Sequence, residues 1–164
     1  MAQVTLGGNA VNTNADLPAV GAAAPEFTLT GGDLGDITST SLHGKKVILN
    51  IFPSIDTPTC ATSVRTFNAK VSDRNDAVVL CVSADLPFAQ SRFCGAEGLE
   101  NVVNASGFRS SFAHDYGVNL IDGRLAGLMA RAVVVLDESG TVVHTELVPE
   151  IAQEPDYEAA LGAL

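Results

Sequence analysis

Three cysteines, at positions 60, 81 and 94, are the residues of this sequence best able to form and break covalent bonds. A cysteine attacks as its thiolate, and an ordinary thiol is little ionised at neutral pH, so the surroundings decide which cysteine reacts. Cys60 stands in Phe52-Pro53-Ser54-Ile55-Asp56-Thr57-Pro58-Thr59-Cys60. Thr57 followed by Pro58 reads as a helix cap followed by proline at the first helical position. That places Cys60 in the first helical turn, where backbone N–H groups lack intrahelical acceptors and the helix dipole is positive. The helix end alone contributes about 0.3–1 kcal/mol toward an anion, up to about 2 kcal/mol when partly buried. Lowering a thiol's pKa by about 2 units needs about 2.7 kcal/mol, so something else is expected to contribute. Arg131, at the mouth of the apolar run Ala132-Val133-Val134-Val135-Leu136, is the candidate. A guanidinium at a buried strand end costs free energy unless an anion meets it. At about 4 Å and an effective dielectric near 20, its attraction for a thiolate is about 4 kcal/mol before desolvation.

The other two cysteines carry weaker signals. Cys81 lies inside Val78-Val79-Leu80-Cys81-Val82 and reads as inert core. Cys94, 34 residues after Cys60, reads by itself as a thiol at the core's edge. The histidines at 43, 114 and 144 have no neighbour at metal-ligand spacing and read as surface residues. Gly31-Gly32-Asp33-Leu34-Gly35 has neither the lysine of a phosphate loop nor the spacing of a dinucleotide fingerprint, so it reads as a turn.

The elements that must position Cys60 and Arg131 follow from hydrophobic patterning. Val47 to Phe52, Val78 to Val82 and Ala132 to Leu136 are continuous apolar runs, as expected of strands covered on both faces. A fourth strand near Val142 to Leu147 follows the turn Asp137-Glu138-Ser139-Gly140 and is expected antiparallel to the third. Helices are expected from Pro58 to Val71, Phe88 to Ala96, near Arg109 to Tyr116, and from Pro155 to Leu164. Val4-Thr5-Leu6 and Ala10-Val11-Asn12 flank Gly7-Gly8-Asn9 and read as a hairpin. Phe27-Thr28-Leu29 reads as a further short strand. Strand, helix, strand, helix, hairpin and final helix make an α/β sandwich with a central mixed β-sheet flanked by helices. That order is thioredoxin-like.

Composition limits the partners. The 164 residues carry nine lysines and arginines against nineteen aspartates and glutamates, a formal charge of −10. Such a field repels phosphate backbones and anionic lipids, so neither nucleic acid nor membrane is expected as a partner. With 46% apolar residues the chain can build a core. No linker or repeat divides it, and a single domain over 1–164 is expected. The start Met1-Ala2-Gln3-Val4 lacks a basic, apolar leader. That, with a sparse and odd cysteine count, suggests a cytoplasmic protein without a disulfide framework.

Pro53, three residues, Thr57, two residues, Cys60, and a later strand arginine resemble the peroxiredoxin active site. Asn50 to Thr57, Ser83 to Cys94, Gly95-Ala96-Glu97-Gly98 and Glu154 to Glu158 resemble, more narrowly, the bacterial thiol peroxidase branch, an atypical two-cysteine peroxiredoxin. The resemblance covers nearly the whole chain. It implies a thiol-dependent peroxidase acting on alkyl and lipid hydroperoxides and on hydrogen peroxide. Cys60 would be the peroxidatic nucleophile, passing through a sulfenic acid. Thr57 would hydrogen-bond peroxide and thiolate, Pro53 would shield the pocket from water, and Arg131 would bind and polarise the peroxide. Cys94 would be the resolving thiol, closing an intrachain Cys60–Cys94 disulfide that thioredoxin reduces. A homodimer is implied, and no metal, haem or flavin. A disulfide needs Cα atoms roughly 4.4–6.8 Å apart, so two helix-borne cysteines imply local unwinding on oxidation.

Two other readings stay within the same residues. A thiol-disulfide exchanger of this fold usually shows Cys-x-x-Cys, and Thr57 occupies the place of its other thiol. A redox sensor or binding protein could use the same cysteine switch without fast turnover.

Overall fold

The computed structural model describes all 164 residues. A two-stranded antiparallel hairpin comes first, β1 (Gln3–Leu6) and β2 (Asn9–Asn12), turned by Gly7 and Gly8 at positive φ. The remaining strands are β3 (Thr28–Thr30), β4 (Asp36–Thr38), β5 (Lys46–Ile51), β6 (Ala77–Ser83), β7 (Val103–Ser106), β8 (Ala132–Leu136) and β9 (Val142–Leu147). They form one seven-stranded sheet in the order β4-β3-β7-β6-β5-β8-β9. β5, β6 and β7 run parallel, and β8 pairs antiparallel with both β5 and β9. The four helices are α1 (Pro58–Lys70), α2 (Pro87–Glu97), α3 (Phe112–Asp115) and α4 (Tyr157–Gly162).

Continuous apolarity in the central strands has the expected cause. Val47, Leu49 and Ile51 of β5 join Leu80, Val82, Val134 and Leu136 in one buried cluster with Phe112 and Tyr116. Ile48 joins Val79, Cys81, Val133 and Val135 in a second cluster on the other face, closed by residues of α1 and α4. Both faces are covered, so alternation along the strand has no polar phase to show. On α1, Cys60, Val64 and Phe67 follow helical spacing, and with the cap residue Val71 after them they point into this second cluster. The sheet therefore sets where the Cys60 sulfur sits.

The structure revises several expectations. β4 and β7 carry no apolar signal; β7 reads Val-Asn-Ala-Ser, yet its Ala105 and Ser106 are buried. Pairing against β6 substitutes for patterning there. Pro155 stands outside the last helix, because the Asp156 side chain caps it by accepting from the Ala159 N–H. The short α3 starts only at Phe112, after a turn through Arg109 to Ser111. His144 is half-buried rather than on the surface, and its buried Nε2 has no partner.

Candidate active site

The turn from β5 into α1 is built as anticipated in backbone and differently in side chain. Thr57 has extended backbone angles and Pro58 takes the first helical position. The Thr57 hydroxyl, however, caps no helical N–H; it donates to the Ser54 carbonyl at 3.0 Å. The first helical backbone bond runs from the Ala61 N–H to the Thr57 carbonyl. The backbone N–H groups of Thr59 and Cys60 precede it and find no protein acceptor. These are the free donors that make a helix start hospitable to an anion.

Arg131 completes that environment. It is 2% exposed, and its Nη2 donates to the Cys60 sulfur at 3.3 Å. Its Nε donates to the Ile151 carbonyl at 2.7 Å, and its buried Nη1 has no partner. A buried guanidinium facing a carbonyl and a thiol is short of one negative charge, and ionised Cys60 would provide it. At this separation and an effective dielectric near 20 the attraction is about 5 kcal/mol before desolvation. The Cys60 side chain is itself 0% exposed.

The site is walled by named elements. Pro53 is buried in the turn between Phe52 and Ser54. Thr59 bonds across to the loop after β9, its hydroxyl donating to the Ala152 carbonyl at 3.1 Å. Thr59, Thr62 and Glu154 line a recess of about 320 Å³ over the first turn of α1. A second recess of about 390 Å³, lined by Thr57, Ala61 and Phe93 among others, flanks the same turn. The largest recess, about 440 Å³ between β3, β4 and Arg109, contains none of the five candidate residues.

Cys94 is not brought to Cys60 by a bond. All three cysteines are free thiols. Cys94 lies near the end of α2, which stops at Gly98 in a left-handed cap. Its thiol donates to Asn104 Oδ1 of β7 at 3.3 Å, and burial pushes its pKa up. Cys81 is fully buried, and desolvation raises its pKa to about 12 despite a contact from the Asn50 amide.

Sequence reasoning missed the residues that hold the turn. The Asp85 carboxylate accepts from the Ser54 hydroxyl at 2.8 Å, the Ile55 N–H at 2.7 Å and the Ser83 hydroxyl at 2.6 Å. It thereby ties the Pro53–Thr57 turn to the end of β6, just ahead of α2. Its place two residues before the helix-opening Pro87 was a visible signal of a junction. The Ile151 carbonyl gave none, since a backbone acceptor has no sequence signature.

A thioredoxin-like sheet that presents a cation-paired cysteine in the first turn of a helix defines a peroxiredoxin-type protein. The Redoxin family model matches residues 19–161. The thiol peroxidase of Mycobacterium tuberculosis (strain CDC 1551 / Oshkosh) is 67% identical over 164 residues, covering 100% of this chain and 99% of that one. The thiol peroxidase of Corynebacterium glutamicum is 51% identical with the same coverage. A peroxiredoxin-like protein from Aquifex aeolicus superposes with a TM-score of 0.94 at 37% identity, covering 99% of this chain and 96% of that one. The chain belongs to the thiol peroxidases of the Redoxin family and is a peroxidase that reduces peroxides at the expense of thiols.

Proposed function

We propose that Cys60 is the peroxidatic nucleophile and that Arg131 is the residue that both ionises it and receives the peroxide. The observation that carries this is the 3.3 Å contact between the buried guanidinium and the Cys60 sulfur. The thiolate attacks one oxygen of the O–O bond. That bond breaks, Cys60 becomes a sulfenic acid, and the departing alkoxide or hydroxide takes up a proton. The unpartnered Nη1 of Arg131 would donate to a peroxide oxygen, steadying the charge that builds on it. Thr57 would turn its hydroxyl from Ser54 to the peroxide, and Pro53 would keep water out. Alkyl and lipid hydroperoxides and hydrogen peroxide are the proposed substrates.

Cys94 would resolve the sulfenic acid. Its thiol expels water and forms an intrachain Cys60–Cys94 disulfide, which thioredoxin reduces by exchange. One hydrogen bond holds the Cys94 thiol, to Asn104, while the last turn of α2 is tied down by two cap N–H groups on the Cys94 carbonyl and by the Arg65–Glu97 pair, and these contacts would have to open. Residues 1–164 would act as one domain and without a metal or organic cofactor. No helix is long and apolar enough to cross a membrane; a cytoplasmic setting fits the sparse thiols. A homodimer is the proposed assembly, with the exposed Leu86, Phe88 and Phe108 as available apolar surface; sedimentation at micromolar concentration checks it.

The test is peroxide-dependent NADPH oxidation coupled through thioredoxin and its reductase. Cys60→Ser and Cys94→Ser are both expected to lose turnover. Activity in Cys60→Ser would remove the nucleophile from the account and bring the sensor reading forward. Full activity in Cys94→Ser alone would return Cys94 to the core's edge.

A further inference from the structure

Arg131 reaches Cys60 from a strand end, and what fixes its side chain on the other side is a backbone carbonyl in a loop. That acceptor, the Ile151 oxygen, lies 2.7 Å from Arg131 Nε. The next carbonyl, Ala152, takes the Thr59 hydroxyl one residue before Cys60. The loop that follows β9 thus touches Arg131 and the residue next to Cys60, and its own position needs a cause.

The cause lies in the N-terminal hairpin. The Thr5 N–H donates to the Pro149 carbonyl at 2.7 Å, and the Ile151 N–H donates to the Thr5 carbonyl at 2.8 Å. Val4 and Val11 pack with Ala130 and Ile151 in a separate small cluster. Between these contacts stands Glu150. Its Oε1 accepts from the Thr5 hydroxyl and from the Gly8 N–H, each at 2.9 Å, and its Oε2 accepts from the Ala152 N–H at 2.8 Å. One carboxylate therefore joins the end of β1 and the hairpin turn to the loop that holds Arg131. These donors hold the Glu150 pKa down at about 2, so it is ionised throughout the neutral range.

From this we infer that Glu150 is a positioning residue for peroxide reduction, acting through the loop that carries the Ile151 and Ala152 carbonyls. Replace the carboxylate by an amide and one of its two oxygens becomes a donor, so either the Thr5 and Gly8 pair or Ala152 loses its acceptor, the loop loosens against the hairpin, and the Arg131 guanidinium loses its fixed angle toward the Cys60 sulfur. The inference rests on the reading of Cys60 and Arg131 given above. It assigns the hairpin a part in catalysis that no residue of the hairpin plays by contact with substrate.

The experiment measures steady-state kcat/KM for peroxide and, separately, for thioredoxin in wild type, Glu150→Gln, Glu150→Asp, Thr5→Val and Arg131→Lys. Misplacing a catalytic group by a fraction of an ångström to 1 Å costs about tenfold to a hundredfold. Glu150→Gln is expected to lower kcat/KM for peroxide about tenfold and to leave the thioredoxin constant unchanged, since in the disulfide Cys60 is drawn toward Cys94 and away from Arg131. Glu150→Asp keeps the charge and should recover part of the loss. A role confined to stability would lower both constants together, through the fraction folded, and would overturn the inference. So would a wild-type peroxide constant in Glu150→Gln while Arg131→Lys is slow. If Glu150→Gln does not fold, Thr5→Val carries the test, with a selective loss of about threefold expected and none overturning it. A wild-type constant in Arg131→Lys would instead strike the reading of the site itself.

Discussion

At the scale of single residues, the three cysteines differ by what surrounds them rather than by chemistry of their own. Cys60 meets a guanidinium, in a helix start where the Thr59 and Cys60 backbone N–H groups have no protein acceptor. Cys94 meets one amide oxygen. Cys81 meets apolar neighbours and the Asn50 amide, and burial raises its pKa to about 12. Alkylation of the native reduced protein at pH 8 should therefore leave Cys81 unmodified, and peptide mapping would show it; modification of Cys81 in folded protein would contradict the core assignment. The residues of this site were unevenly visible in the sequence. Thr57-Pro58 announced a helix start, and a lone arginine before five apolar residues announced a buried charge in need of a partner. The direction of the Thr57 hydroxyl was not visible, because a threonine oxygen chooses between a helical N–H and a nearby carbonyl by local geometry. Asp85 and the Ile151 carbonyl escaped for other reasons: Ser54 and Ile55, which Asp85 holds, are far from it in sequence, and a backbone carbonyl has no sequence signature.

At the scale of elements, the proposed Cys60–Cys94 disulfide asks two helices, α1 and α2, to bring their cysteines together. Cys60 is fully buried in the first turn of α1 and Cys94 sits near the last turn of α2, while a disulfide needs Cα atoms roughly 4.4–6.8 Å apart. Oxidation is expected to unwind the start of α1 and the end of α2. Amide exchange checks this: protection in both segments should fall in oxidised protein and persist in β5, β6 and β8. Equal protection in both redox states would contradict it. The three central strands were legible because burial on both faces leaves an unbroken apolar run. β7 was not, since Val-Asn-Ala-Ser is too short and too polar to show a period. Yet β7 supplies Asn104, the acceptor for Cys94. The final helix began later than expected because Asp156, not Pro155, satisfies its free N–H groups.

At the scale of the whole molecule, the hairpin is fastened to the body by carboxylates at both strands. Glu150 holds β1, and Asp122 holds Asn12 of β2 through two bonds of 2.8 Å. Both pKa values are lowered by those hydrogen bonds, Glu150 to about 2. A carboxyl with a lowered folded value contributes stability that is fully present above its unfolded value, about 4 to 4.3. That contribution is lost as pH falls through the folded value, near 2 for Glu150. Protection of the Thr5, Gly8 and Asn12 amides, corrected for intrinsic exchange, should therefore decline between about pH 4 and pH 2 before the central strands open. Simultaneous loss would show that the hairpin is not a separate unit. The intact protein also offers the most direct test of the central claim. Reduced Cys94→Ser would be treated with one equivalent of peroxide in the presence of dimedone, and the adduct mapped by mass spectrometry. The account predicts a single sulfenic adduct on Cys60, formed fast with Arg131 in place and far more slowly in Arg131→Lys. An adduct on Cys81, or none on Cys60, would contradict it.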